Sequence, residues 1–147
     1  MLLMGNGVSQ FLVAAAILNA LAAALHVGCI IFGAAWYRFF GAGKRMAQLA
    51  ASGNWVPTAI TACIASVLTL WSLYALAGAG IGPRLPLIRI ALCAITAVYL
   101  LRGLAVVPFV AVHGFGRSSA FWWWSSAICL LIGLVHLAGL GQVWARL

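Results

Sequence analysis

The side chains able to do chemistry in this chain are few and widely spaced. There are three histidines, His26, His113 and His136, and four cysteines, Cys29, Cys63, Cys93 and Cys129. Imidazole and thiolate are the usual ligands of haem, zinc and copper. The cysteines stand 30 or more residues apart with no CxxC pair, so neither a zinc site nor a disulfide framework is predicted. No spacing supports a Cu(I) site of His26, Cys29, Cys63 and a methionine. Asp and Glu are absent altogether. That removes paired-acid hydrolysis, a carboxylate proton relay, a Ca²⁺ or Mg²⁺ cage and an Asp-oriented triad. The glycines of Gly78 to Gly82 precede Pro83 without the GxxxxGK[ST] pattern and read as a turn, not a phosphate loop. No catalytic residue and no metal site is assigned, and a non-enzymatic role is favoured.

What positions these groups follows from composition. The chain has 147 residues, 67% apolar and 5% charged, where a soluble domain carries about 25% charged residues. A bilayer core about 30 Å thick needs about 20 apolar residues in a helix. Four stretches qualify, at about 9–35, 57–78, 87–111 and 120–140. The expected fold is all-α: a polytopic membrane protein, a single integral domain over 1–147, built as an up-down four-transmembrane-helix bundle. Pro57 sits at a tolerated first-turn position, and Ser118-Ser119 are expected caps of the last span. The N-terminus lacks a Lys/Arg-rich region, so no cleavable signal peptide is expected.

The net charge of +8 is scattered singly apart from Lys44-Arg45. No basic patch for nucleic acid forms, and contact with anionic lipid headgroups is the better reading. We call the end reached after the first span the loop side and the other end the terminal side. The loop side carries Arg38, Lys44, Arg45 and Arg117; the terminal side carries Arg84, Arg146 and, at a helix entrance, Arg89. The positive-inside rule favours a cytoplasmic loop side with both termini outside. Trp36, Tyr37, Trp55 and Trp122-Trp123-Trp124 on the loop side read as a headgroup belt. The connection Trp36 to Gly53 breaks at Gly41 and Gly43, then predicts a short surface-lying helix from Lys44 to Ala51.

Each span shows a polar line at helical spacing. Lipid cannot satisfy these groups, so they should face the bundle interior or a partner. The candidate ligand-binding set is Asn19, His26, Thr61, Thr69, Thr96, Tyr99, Arg102 and His136. Ala16, Ala20, Ala24 and Gly28 form a small-xxx-small row for close helix approach. By helix rise, Arg102 lies about 4–5 Å past mid-membrane, with no carboxylate to pair with and an awkward path to the surface. Its five donors need carbonyls, hydroxyls, water, an acid of another protein or an anionic ligand. His26 and His136 fall roughly 15 Å apart along the normal. One haem held by both within one chain is therefore disfavoured, two haems or a site between chains stay open, and no cofactor is assigned.

The segments HVGCIIFGAAWYRFFGAG, WSLYALAGAGIGPRLPLIRIALCAITAVYLLRGL and FWWWSSAICLLIGLVHLAGL resemble an uncharacterised family of small four-span inner-membrane proteins of Gram-negative bacteria. The resemblance implies a bacterial inner-membrane location and no particular activity. Two roles are expected. One is an accessory or assembly subunit of a membrane complex, as a homo-oligomer or beside a partner membrane subunit. The other is an oligomeric binder or transporter of an anionic, quinone-like or lipidic small molecule, with an intramembrane site around Arg102.

Overall fold

The computed structural model of the chain describes residues 7–104 and 119–147. Among the described residues all regular structure is helical: α1 (Gln10–Phe32), α2 (Ala34–Phe39), α3 (Lys44–Ala51), α4 (Val56–Ala79), α5 (Ile88–Leu104) and α6 (Ser119–Val143), closed by a 3₁₀ turn, Trp144–Arg146. Three stretches are long and apolar enough to cross a membrane: Gln10–Phe32, Val56–Ala79 and Trp122–Arg146. The large apolar side chains Ile17, Leu21, Leu25, Ile60, Ile64, Ile128 and Leu131 are all exposed. Such a surface suits lipid and not water, so this is an α-helical membrane protein. A fourth span is not identified among the described residues. As described, α5 has 17 residues, and its expected continuation to residue 111, with Pro108, lies outside the described residues. So do His113, Arg117 and the expected cap Ser118.

The helix ends have local causes. Ser9 caps α1 by accepting from the Leu12 N–H, while its hydroxyl donates to Gln142 Oε1 at 2.8 Å. The Ser9 N–H donates to the Ala79 carbonyl at 3.1 Å, so one residue ties the start of α1 to the ends of α4 and α6. The first span ends at Phe32, earlier than expected, because Gly33 takes φ 65° and ψ −140°, a conformation open to glycine and costly for other residues. The Lys44–Ala51 helix forms at the expected bounds, and Pro57 lies in the first turn of α4.

Antiparallel neighbours fix the packing. Ser72 Oγ donates to the Ala16 carbonyl at 2.8 Å, which sets the register of α1 against α4. A Cβ at Gly103 would meet the Leu130 backbone at 2.9 Å, and one at Gly133 would meet Leu100 at 2.9 Å. These two contacts are reciprocal, so α5 and α6 approach closely at two glycines facing leucines. Of the small-residue row on α1, Ala16 and Gly28 are buried within this chain, while Ala20 and Ala24 are exposed and stay open to a helix of a second copy. Four-residue steps advance past a full 3.6-residue turn, so the row winds off the contact face. The stripe that packs inward is Leu12, Ala15, Ala16, Asn19 and Ala23.

At the loop end α2 and α3 fold back over the bundle. Ala47 of α3 is buried with Cys29 and Tyr37. The Tyr37 hydroxyl lies 2.9 Å from Thr61 Oγ1 and 3.2 Å from the Pro57 carbonyl. This hydroxyl tethers the α2–α3 hairpin to α4. Tyr37→Phe is expected to cost about 1 kcal/mol and to speed proteolysis at Lys44. Unchanged cleavage kinetics would show that the tether does not hold the hairpin.

Candidate functional site

The site begins with Asn19, which is fully buried on the inward stripe of α1 and lies close to the middle of that helix. Its amide Nδ2 is 3.0 Å from His136 Nε2 on α6, and its Oδ1 accepts from the Tyr99 hydroxyl on α5. Tyr99 and His136 stack with ring centroids 5.8 Å apart. The edge of Trp71, from α4, meets Tyr99 at 5.3 Å. Four helices therefore converge on one polar centre, surrounded by Ala23, Leu68, Ile95 and Ile132.

The amide orientation gives the network a direction. A tyrosine donating to Oδ1 leaves Nδ2 to donate, so Nε2 of His136 accepts. The neutral ring then carries its proton on Nδ1. That nitrogen is buried and has no hydrogen-bond partner among the described residues. An N–H in that position calls for an acceptor oxygen, from water or a ligand.

The other candidate residues do not join this centre. Thr96 is buried and donates to the Leu92 carbonyl of its own helix at 2.7 Å. Thr69 does the same to Ala65 at 2.8 Å. Thr61 belongs to the Tyr37 tether. His26 is half-buried, with Nδ1 2.7 Å from the Ala22 carbonyl. It lies seven positions beyond Asn19 on α1, about 10 Å along the axis. The two histidines thus stand at different levels.

Arg102 shows where sequence reasoning falls short. On the register set by Gly103 and Gly133, its backbone lies level with Leu131, the middle of α6. Its guanidinium lies elsewhere. Nη2 donates to Ser125 Oγ at 3.1 Å, six positions and about 9 Å nearer the loop side. Cζ also sits 5.3 Å from the centre of the Trp122 ring. The charge therefore reaches towards the loop-side aromatic residues, gaining a hydroxyl and a cation–π contact. Of the partners left open for it by the sequence, the structure shows a hydroxyl, that of Ser125 on α6. Trp71 and the Ser125–Trp122 pair were missed as site residues. The signal for Trp71 was its place on the Leu68–Ser72–Ala75 face of α4, and that for Ser125 its place on the polar line of the last span.

Two open grooves mark the outer surface. One, of about 220 Å³, runs between α4 and α5 and is lined by Leu70, Trp71, Tyr74, Ala91, Ala94, Ile95 and Val98. The second, of about 480 Å³, runs between α1 and α4. Its α4 wall holds Ala62, Ser66 and Thr69, all exposed. Among the described residues no group of three His or Cys side chains could hold a metal ion.

Fold and site together define a helical membrane protein with a buried Asn–Tyr–His centre. Comparison with protein-family models, with curated proteins and with solved structures finds no match.

Proposed function

We propose that the chain is a non-enzymatic four-span helix bundle of the bacterial inner membrane, with α5 as its fourth span. In this reading it acts as an accessory or assembly subunit of a membrane complex. The observation that carries the reading is the α1–α4 groove. The groove is lined by Val27, Ile30, Leu70 and Leu73 together with Ala62, Ala65, Ser66 and Thr69, so half of its lining is smaller or more polar than the Leu, Ile and Val of an ordinary lipid-facing wall. Small residues let a neighbouring backbone approach, and hydroxyls can bond across to it. Both hydroxyls now donate to carbonyls of their own helix, so an incoming helix would meet no stranded polar group. The occupant proposed is an apolar transmembrane helix, from a partner subunit or a second copy.

Charge placement supports a cytoplasmic loop side. On the terminal side, Arg89 donates to the Trp144 carbonyl at 2.9 Å and Arg146 to that of Gly7 at 2.7 Å. Arg38, Lys44 and Arg45 on the loop side are exposed. Arg84 on the terminal side is exposed as well. The positive-inside rule counts every Lys and Arg near the span ends whatever its hydrogen bonds. The loop side therefore leads by four to three only with Arg117 included from the sequence.

The test is the size of the complex extracted from native membranes in mild detergent. The wild-type chain should migrate in a complex larger than its own micelle. Ala62→Leu combined with Ser66→Leu should release it as a single chain with unchanged stability. A wild-type chain that runs alone would refute the reading.

One observation favours the second role, a binder of a quinone-like or lipidic molecule. The buried Nδ1 of His136 lacks an acceptor among the described residues, and a ligand carbonyl would supply one. This moves the centre of the proposed pocket from Arg102 to His136. Extraction of the purified protein with organic solvent should then yield a stoichiometric carbonyl-bearing amphiphile, lost in His136→Leu.

A further inference from the structure

We propose that the α2–α3 hairpin is a docking surface for anionic phospholipid headgroups. The inference is independent of the partner-helix reading and shares no residue with the α1–α4 groove. It starts from the hairpin's fixed orientation. Ala47 is buried against Cys29 and Tyr37, and Tyr37 is bonded to Thr61, so one face of α3 is held against the bundle. Arg45 lies opposite Ala47 on α3, and Lys44 and Gln48 lie to one side of it. All three are exposed, and Arg38 is exposed on α2 just before the turn. Three cations thus fall within eight residues around one tight turn, where the Ala42 N–H donates to the Tyr37 carbonyl at 2.9 Å.

None of the three charged groups has a hydrogen-bond, ion-pair or ring partner among the described residues. The chain holds no Asp or Glu, so the neutralising charge must come from outside it. The surroundings favour a lipid source over a dissolved one. Phe39 adjoins the basic turn and Trp55 stands beyond the other end of α3, and they are 83% and 74% exposed. Aromatic rings left open beside cations suit the headgroup layer, where the ring enters the acyl boundary and the charge meets phosphate. The hairpin also sits at the level where α1 ends and α4 begins, which is the water boundary of two spans. Polybasic segments placed there favour anionic leaflets over neutral ones.

The experiment measures thermal unfolding of the full chain in neutral detergent with added phosphatidylglycerol, phosphatidylcholine or inorganic phosphate. Phosphatidylglycerol should raise Tm by about 5 °C over phosphatidylcholine, and inorganic phosphate should give no increment. The Arg38→Gln, Lys44→Gln, Arg45→Gln triple variant should match the wild type in phosphatidylcholine and lose most of the phosphatidylglycerol increment. Arg84→Gln, an exposed cation on the terminal side, should keep it. Equal Tm in both lipids, a full increment in the triple variant, or an increment reproduced by phosphate would each overturn the proposal. If the triple variant does not fold, the single variants Lys44→Gln and Arg45→Gln decide, each losing part of the increment if the surface is real and none if it is not.

Discussion

Replacing Asn19 with leucine should lower the free energy of unfolding in detergent by about 2 kcal/mol. The amide is the middle member of the network, accepting from Tyr99 and meeting His136 Nε2. Leucine fills a similar volume but leaves the tyrosine hydroxyl and the imidazole nitrogen unpaired in the bundle interior. Each stranded group costs about 1–3 kcal/mol in a soluble core. Hydrogen bonds between membrane helices measure smaller, about 0.6–2 kcal/mol, because the separated helices also find partners. A double-mutant cycle isolates the coupling. Tyr99→Phe should cost clearly less in the Asn19→Leu background than in the wild type. Equal costs in both backgrounds would mean that the two residues act independently and the network is not a unit.

The second large effect is expected at the α5–α6 contact. Gly103→Leu should destabilise the chain by about 3 kcal/mol, the upper part of the range for overpacking. The nearest atoms to an added Cβ are the Leu130 backbone nitrogen and Cα at 2.9 Å. Backbone cannot rotate aside as a side chain does, so the two helices must separate. Gly141, with nothing within 4 Å of an added Cβ, provides the control. Gly141→Ala should be neutral or slightly stabilising, since alanine favours a helix over glycine. A Gly103→Leu protein as stable as the wild type would show that α5 and α6 do not approach at this point. The register used for Arg102 would fall with it.

Particular residues show how far the sequence could be read. The α3 bounds were legible because Gly41 and Gly43 break the chain just before a polar helical run. The bounds of α4 were legible because Pro57 and the glycines after Ala77 mark its ends. The end of α1 was not, because apolar residues continue through Gly33 and only its positive φ stops the helix. Inward-facing polar lines on separate helices identified Asn19, Tyr99 and His136 as members of one interior. Their contact was not legible, since it depends on the relative heights of α1, α5 and α6. Helix arithmetic speaks only to the Arg102 backbone and not to its guanidinium, because a flexible side chain can move its charge along the neighbouring helix. Tyr37 read as an interface aromatic, and its bond to Thr61 emerges only once α2 folds back over α4.

The account's central claim is that the interior polar groups hold this bundle together while its working surface is the lipid-facing groove of α4. Native Cys63 offers the most direct test, as it is exposed beside Ala62 on that helix. A short thiol-reactive cross-linker applied to native membranes should join Cys63 to one polypeptide, a partner or a second copy, in constant ratio. Ser66→Leu should abolish the product while Asn19→Leu weakens folding instead. If Cys63 forms no protein adduct in native membranes, or if its adduct survives Ser66→Leu unchanged, the groove is not where this protein meets its partner.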